Sequence, residues 1–504
     1  MKRFFFIILS ITLVAGTGCI KDVAPSDAIT TGNLTENPDG IVNAVNGAYS
    51  LFKDNVEFNG VPDLNLMYLR QFYHLSDFAS DDIVCGQVTT DPLWLSFTSE
   101  HTPTQTNTRY FWYINYKIIN NANTVIEAAG KLANPDAATQ QLIGECYFLR
   151  AFCHFNLVRL FAKPYTHDPA APGIILRTSV ADPAQKARST VAEVYASIID
   201  DAGKGAEMMT ASRGVQYASR EAAWALLSRA YLYMDNNDKT IEFSDKVINS
   251  PRFTLTNATT FQTLFANAMG GSETIFCVAH TQVDDKGKFG SIASMIYSDG
   301  NSGWGEEFAS KSLRDSMSDH PEDVRWKYIV KLDNGSGGAA LKNGIETYYI
   351  SKYSFQGGSP TLSSPIMFRL SEMYLNKAEA EAKKNLNNNA LDDVDMIRKN
   401  RGLDASLYNR VLPAGRTALD VVLKERRIEL AFEGHRVYDV YRNKRNLNRT
   451  YWGYHLRGLK ETDINLAVQP AGYPNLITNW NSNRIIYYIP VDEVQSNPLC
   501  GQND

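Results

Sequence analysis

The chain has 504 residues, of which 44% are hydrophobic and 21% charged, with 33 glycines and 19 prolines. Those proportions exclude wholesale disorder, a collagen-like repeat and a linker protein, while the length allows one large domain or several. The formal net charge of −5 provides no basic field for nucleic acid, and a chain this long can bury a core without disulfides or metals.

Two cations, Lys2 and Arg3, precede an apolar run from Phe4 to Ala15, and Gly16, Thr17 and Gly18 lead to Cys19. Charged start, apolar middle and small-residue cleavage zone are the parts of a secretory signal. The run is too short to cross about 30 Å of hydrocarbon. A cysteine directly after small residues resembles a bacterial lipobox, in which that Cys is fatty-acylated and becomes the new N-terminus. Gly16 departs from that pattern, which usually has Leu there. Residues 1–18 therefore read as a lipoprotein signal peptide, Cys19 as the lipidation site, and residues 19–40 as a polar tether. Acyl chains anchor at about 0.8 kcal/mol per buried methylene, so the expectation is a protein tethered to a membrane without spanning it. The other cysteines (Cys85, Cys146, Cys153, Cys277 and Cys500) are odd in number and form no CxxC pair. Cys146 and Cys153 lie about 10 Å apart along one helical face, beyond disulfide reach.

Helix-type spacing dominates the rest of the chain. Residues 41–53 align Ile41, Val45, Ala48 and Leu51 on one stripe, and residues 107–130 align Ile114, Ile118, Ala122 and Val125. Residues 138–162 form a long apolar helix that stops before Pro164. Two stretches, 219–249 and 367–402, read helix, short polar turn, helix, with small residues where the helices meet, which is the tetratricopeptide kind of unit. The copies are scattered rather than tandem, so a regular solenoid is not expected. Between them lie irregular, aromatic-rich stretches at 56–106, 251–365 and 443–495, with short strand-like pieces such as ETIFCVAH (273–280) and a strand in RIIYYIPVDEV near the end. Insertions of that length usually carry function. The fold class is mainly α: a scaffold of helix-turn-helix pairs with large irregular loop and short-strand insertions, read as a single domain over 41–504.

Chemical motifs are scarce. There is no HExxH, G-x-S-x-G, Walker A or Cys/His zinc spacing, so no cofactor and no metal is expected. His154 and His435 lie in helical stretches and read as core or structural residues. The carboxylate doublets Asp81/Asp82 and Glu306/Glu307 could serve a glycosidase, but adjacent acids arise by chance in any chain of this size. In 424–442 (KERRIELAFEGHRVYDVYR), opposite charges at three- and four-residue spacing support a salt-bridged helix.

That segment, with RLSEMYLNKAEA (369–380), DDVDMIRKNRG (392–402) and IPVDEVQSNPLCGQN (489–503), closely resembles the SusD-like (RagB/SusD) family of Bacteroidetes. LRAFCHFNLVRLFAKP (149–164), RSTVAEVYASIIDDA (188–202) and SREAAWALLSRAYLYM (219–234) extend the resemblance over nearly the whole mature chain. The resemblance implies four tetratricopeptide-like helix pairs and a loop-built surface for oligosaccharide, or in some members peptide. It also implies an anchor in the outer membrane and service as the lid of a SusC-like TonB-dependent transporter. An export signal often follows the lipidated Cys in this family, and Ile20-Lys21-Asp22 matches it in part.

Sugar recognition needs flat aromatic faces and hydroxyl partners. With 26 Tyr, 23 Phe and 7 Trp, aromatics alone select nothing, so loop location decides. Trp94 and Trp304 lie among turn-forming residues outside any helical pattern, and Tyr297 lies seven residues before Trp304. Asp81, Asp82, Asp299 and Asn301 are candidate hydroxyl partners, and Tyr353 and Phe355 further loop aromatics. The expected function is non-catalytic capture of a glycan and its delivery to the transporter. The alternatives are a surface glycosidase using loop carboxylates, a peptide-binding member of the same family, and a helical-repeat assembly protein without a small ligand.

Overall fold

The computed structural model describes residues 34–35, 39–60, 63–87, 91–449 and 477–504. The expected signal peptide, the expected lipidation site Cys19 and most of the expected tether lie outside these residues. The longer helices are α1 (Gly40–Ser50), α2 (Tyr68–Asp77), α3 (Thr106–Ala129), α4 (Ala137–Phe161), α5 (Val191–Met208), α6 (Arg220–Tyr233), α7 (Asn237–Ile248), α8 (Leu370–Lys383), α9 (Asn387–Lys399) and α10 (Ala418–Glu429). Their starts follow local chemistry. Asp136 accepts the Thr139 N–H at 2.7 Å and Ser219 accepts that of Ala222 at 3.3 Å. Thr190 with Glu193, and Thr417 with Asp420, form complete capping boxes.

The helix α4 is apolar all round, and every residue from Gln141 to Phe161 except Tyr147 is buried, so it forms the centre of the molecule. It packs against α3 on one side and α5 on the other. From there α5 packs on α6, α6 on α7, α7 on α8, and α8 on both α9 and α10. The expected pairs at 219–249 and 367–402 are α6/α7 and α8/α9, and the expected helix at 138–162 finds its partner in α3. The row corrects one expectation: the copies are distant in sequence yet adjacent in space. A hydrogen-bonded seam marks their junction, with Ser228 Oγ 2.8 Å from Ser244 Oγ and Asn376 Nδ2 donating to Ser228 Oγ at 3.0 Å.

The long excursion between these pairs leaves and returns at one place. Strand Thr274–Cys277 pairs antiparallel with Ile366–Arg369, which confirms the strand expected in ETIFCVAH. Phe276 and Phe368 from these strands meet Phe148 and Phe152 of α4, with ring centroids 5.4–6.4 Å apart. A second strand pair, Ile83–Cys85 with Glu307–Ala309, ties the two loop regions together.

Two readings are corrected. Residues 424–442 are not one helix: α10 ends at Glu429, Phe432 and Gly434 take φ of 67° and 73°, and a new helix runs Arg436–Arg442. The break turns Glu429 and Glu433 inward to Arg369, at 2.5 and 2.8 Å, which a straight exposed helix could not do. The segment RIIYYIPVDEV contains no strand; it runs from a 3-10 turn at Asn483–Ile485 to a helix at Val491–Ser496. Buried Tyr487 instead holds it, its hydroxyl donating to the Leu75 carbonyl at 2.6 Å.

Across the α8/α9 interface, Glu381 and Asp393 are both buried, and Lys377 reaches Asp393 at 3.7 Å. Burial and then the neighbouring Asp393 push Glu381 up to about 8, and burial pushes Asp393 up to about 6. In the unfolded chain both groups release their protons near pH 4, so folding above that pH takes protons up again and stability falls as pH rises from about 4 to 8. Glu381→Gln is expected to stabilise the protein at pH 8 by about 1–2 kcal/mol, after allowance for screening, and to flatten that slope. Thermal melts across the range test this; a variant no more stable than the parent at pH 8 contradicts it.

Candidate ligand-binding cleft

An open cleft of about 530 Å³ lies where the first turns of α2 and α3 meet the excursion and the second strand pair. One wall is aromatic: Trp304 is 41% and Phe289 49% exposed, their rings 5.8 Å apart and close to perpendicular. Large apolar rings left this open on facing loops are the feature that a stacking ligand would cover. The Lys288 ammonium sits 3.8 Å from the centre of the Trp304 ring, so a ligand stacking on that face must displace it.

The floor is polar and buried. Arg70, in the first turn of α2, pairs with Asp91 at 2.7 Å while only 3% of its side chain is exposed. Its guanidinium also donates to the Asn65 carbonyl at 3.3 Å. Asn107, in the first turn of α3, donates to Gln71 at 3.0 Å and to Asp91 at 3.3 Å. Among the described residues, Arg70 Nε and Asn107 Oδ1 are buried without a hydrogen-bond partner. Buried polar atoms are normally satisfied, and these two have almost no surface open to the cleft, so a hydroxyl group or water would reach them only once the side chains shift. Gln87 and Glu306 join from the ends of the second strand pair, and burial raises the Glu306 carboxyl.

The loop before Trp304 is built to hold it. Trp304 N–H donates to the Ser294 carbonyl at 2.6 Å, and Ser298 Oγ donates to the Gly303 carbonyl at 2.9 Å. A Cβ at Gly303 would lie 2.1 Å from the Tyr297 carbonyl oxygen, so only glycine permits this closure. Asp299 accepts the N–H groups of Asn301 and Ser302 at 2.9 and 2.7 Å, and these bonds hold its carboxyl low.

Of the residues singled out for sugar recognition from sequence, Trp304 alone lines the cleft. Asp299 and Asn301 shape its loop from the exposed tip. Tyr297 stacks edge-on with Phe355 and Tyr349, at 5.3 and 5.8 Å, in a separate aromatic group. Trp94 opens a short helix, Trp94–Thr98, half-buried and outside the cleft lining, contrary to the loop position expected for it. Asp81, Asp82 and Tyr353 are corrected outright, because all three are buried with partners in the chain. Arg436 holds Asp81 at 2.6 Å and Arg427 holds Asp82 at 2.7 Å. Burial would raise Asp81, but Arg436 and Arg427 outweigh it and lower the carboxyl. The Tyr353 hydroxyl donates to the Phe432 carbonyl at 2.5 Å. The doublet Glu306/Glu307 is split by strand alternation: Glu306 lines the cleft while Glu307 is buried beside Cys85 Sγ at 3.9 Å.

Phe289, Arg70, Asn107 and Asp91 escaped sequence reasoning. Phe289 sits in KGKFGS, the glycine-flanked setting that drew notice to Trp304, and that criterion applied evenly would have found it. Arg70 and Asn107 begin helices, where a polar residue looks the same whether it faces water or a cleft.

A continuous row of helices carrying loops that build an open, ring-walled cleft defines a class of protein, the helical binding scaffold. Comparison with known proteins gives the family. A family model described as "Starch-binding associating with outer membrane" matches residues 68–232, and one described as "SusD family" matches residues 242–504. The chain belongs to the SusD family. It is 24% identical to SusD-like protein P38 of Formosa agariphila over 492 residues, covering 88% of this chain and 93% of that protein. SusD-like protein P2 of the same organism is 28% identical over 406 residues, 74% of this chain and 78% of that one. A SusD superfamily crystal structure from Bacteroides thetaiotaomicron superposes with a TM-score of 0.79 at 26% identity, covering 94% of this chain and all (100%) of the other. The structure of a laminarin-binding SusD-like protein shares the fold, with a TM-score of 0.65 at 22% identity over 93% of this chain and 99% of that one.

Proposed function

We propose that this protein is a lipid-anchored, non-catalytic glycan-binding protein of the outer-membrane surface that hands its cargo to a SusC-like TonB-dependent transporter and closes over it as a lid. The observation that carries the binding role is the perpendicular Trp304–Phe289 pair facing the Arg70–Asp91–Asn107 floor across an open cleft. Ring faces accept the C–H face of a pyranose, and the floor supplies directional partners for its hydroxyls. A shallow, open site recovers modest net energy after desolvating hydroxyls, which suits a carrier that must release what it binds. The anchor and the surface location rest on the order Lys2-Arg3, apolar run, small residues, Cys19, and the transporter role on family membership.

The test is calorimetric titration of the mature protein with a panel of β-glucan, α-glucan and fructan oligosaccharides, each incubation also assayed for new reducing ends. Saturable binding without release of reducing ends is expected. Sustained turnover would establish the glycosidase instead. Labelling with a palmitate analogue, abolished in Cys19→Ser, checks the anchor separately.

A further inference from the structure

A second cavity, of about 590 Å³, lies along α3 from Arg109 to Asn123 and shares no lining residue with the cleft. It is bounded by α3, by Phe58 and Asn59, by the segment around Ile175–Ala184, and by the C-terminal turn at Pro490–Ser496. Aromatic rings again form the bed. Phe58 and Tyr113 lie 5.3 Å apart and Trp112 and Tyr116 5.0 Å apart, with Tyr113 and Tyr116 half-buried.

Three cations and three carboxylates line this cavity, but they are unevenly paired. All three carboxylates are committed. Arg109 holds Asp492 through two bonds at 2.6 and 2.7 Å. Glu493 accepts from Trp112 Nε1 at 3.1 Å and from Asn497 at 2.9 Å. Asp182 accepts the Thr178 N–H at 2.7 Å and pairs with Lys186 at 2.8 Å. Among the described residues, the other two lining cations have no carboxylate partner. Lys117 is exposed, its ammonium 3.4 Å from the Tyr113 hydroxyl. Arg177 donates to the carbonyls of Pro183 and Ala184 and fixes that loop. With Asp492 paired to Arg109 and Asp182 to Lys186 from outside the lining, the two unpaired cations exceed the one carboxylate without a cation, Glu493, by a single charge. That surplus over an aromatic bed, in a space the size of an ordinary small-ligand site, favours a ligand with both an apolar ring face and a negative group.

We infer that this cavity is a second binding site, for a short acidic saccharide whose carboxylate or sulfate group meets Lys117 and Arg177 while a sugar ring lies on Tyr113. The inference does not depend on the ligand of the Trp304 cleft.

The test titrates the mature protein with three trisaccharides: tri-galacturonate, a sulfated carrageenan fragment and neutral maltotriose. At least one anionic probe is expected to bind in a salt-sensitive manner, about tenfold or more tighter than maltotriose. Lys117→Glu and Tyr113→Ala should each weaken it by about tenfold, while Trp304→Ala leaves it unchanged. Lys117 is exposed, so Lys117→Glu keeps the fold, and an unchanged melting temperature verifies this. Whether the carboxylated or the sulfated probe binds names the anion. Equal or absent binding of all three overturns the inference, as does anionic binding that Trp304→Ala removes and Lys117→Glu does not.

Discussion

Arg369→Met is expected to destabilise the protein by about 3–5 kcal/mol, the range for breaking a buried ion pair by removing one partner. Arg369 is 1% exposed and reaches Glu273 at 2.9 Å, Glu429 at 2.5 Å and Glu433 at 2.8 Å. Arg401 shares Glu429 at 2.7 Å and Glu273 at 3.1 Å, Arg325 shares Glu429 at 3.2 Å, and Lys352 pairs with Glu433 at 2.6 Å. Arg325 is also held by Asp323 and Glu425 at 2.7 and 2.6 Å, so deleting Arg369 leaves this buried network short of a cation, and methionine offers the carboxylates no hydrogen-bond donor. Arg369→Lys keeps the charge without the planar fork and should recover only part of the loss. The cluster also sets the acid limit of the fold. Burial alone would raise Glu429, but Arg401, Arg369 and Arg325 outweigh it and hold the carboxyl well below its usual range. A depressed carboxyl contributes stability that is full above the unfolded value, near pH 4, and is lost as the pH falls further. Chemical denaturation at pH 7 measures the effect, and a loss under about 1 kcal/mol would mean that the cluster is replaceable by apolar packing.

Trp304→Ala is expected to weaken glycan binding by about 1–3 kcal/mol, the scale of a lost aromatic anchor, while melting stays nearly unchanged. The ring is 41% exposed and the loop beneath it is closed by backbone bonds, so its removal takes away ligand contact more than core. Lys288→Ala provides the contrast. It clears the ammonium from the ring face, so binding should hold or strengthen. Unchanged affinity in Trp304→Ala would place the glycan elsewhere on the molecule.

The helical scaffold was legible because apolar residues recur at helical spacing through 41–53, 107–130 and 138–162, and Gly40–Ser50, Thr106–Ala129 and Ala137–Phe161 form there. The site was legible only where a large ring stood among glycines, as Trp304 does. What failed depends on partners remote in sequence. Asp81 and Asp82 look like surface acids until Arg436 and Arg427, some 350 residues on, neutralise them. Tyr353 looks like a loop aromatic until the turn after α10 receives its hydroxyl. The break in 424–442 rests on left-handed backbone at Phe432, a residue type that gives no warning of it.

The pairing of Thr274–Cys277 with Ile366–Arg369 gathers both roots of the excursion at a single gate beside the buried arginines. A graft of the stretch between those roots, Phe289 and Trp304 included, would have to keep the strand that pairs with Ile83–Cys85, the hydroxyl that Tyr353 gives to Phe432, and cations where Arg325 and Lys352 meet Glu429 and Glu433. A chimera carrying another relative's segment between Val278 and Pro365 would replace the ring wall of the cleft and leave the Arg70–Asp91–Asn107 floor as it is.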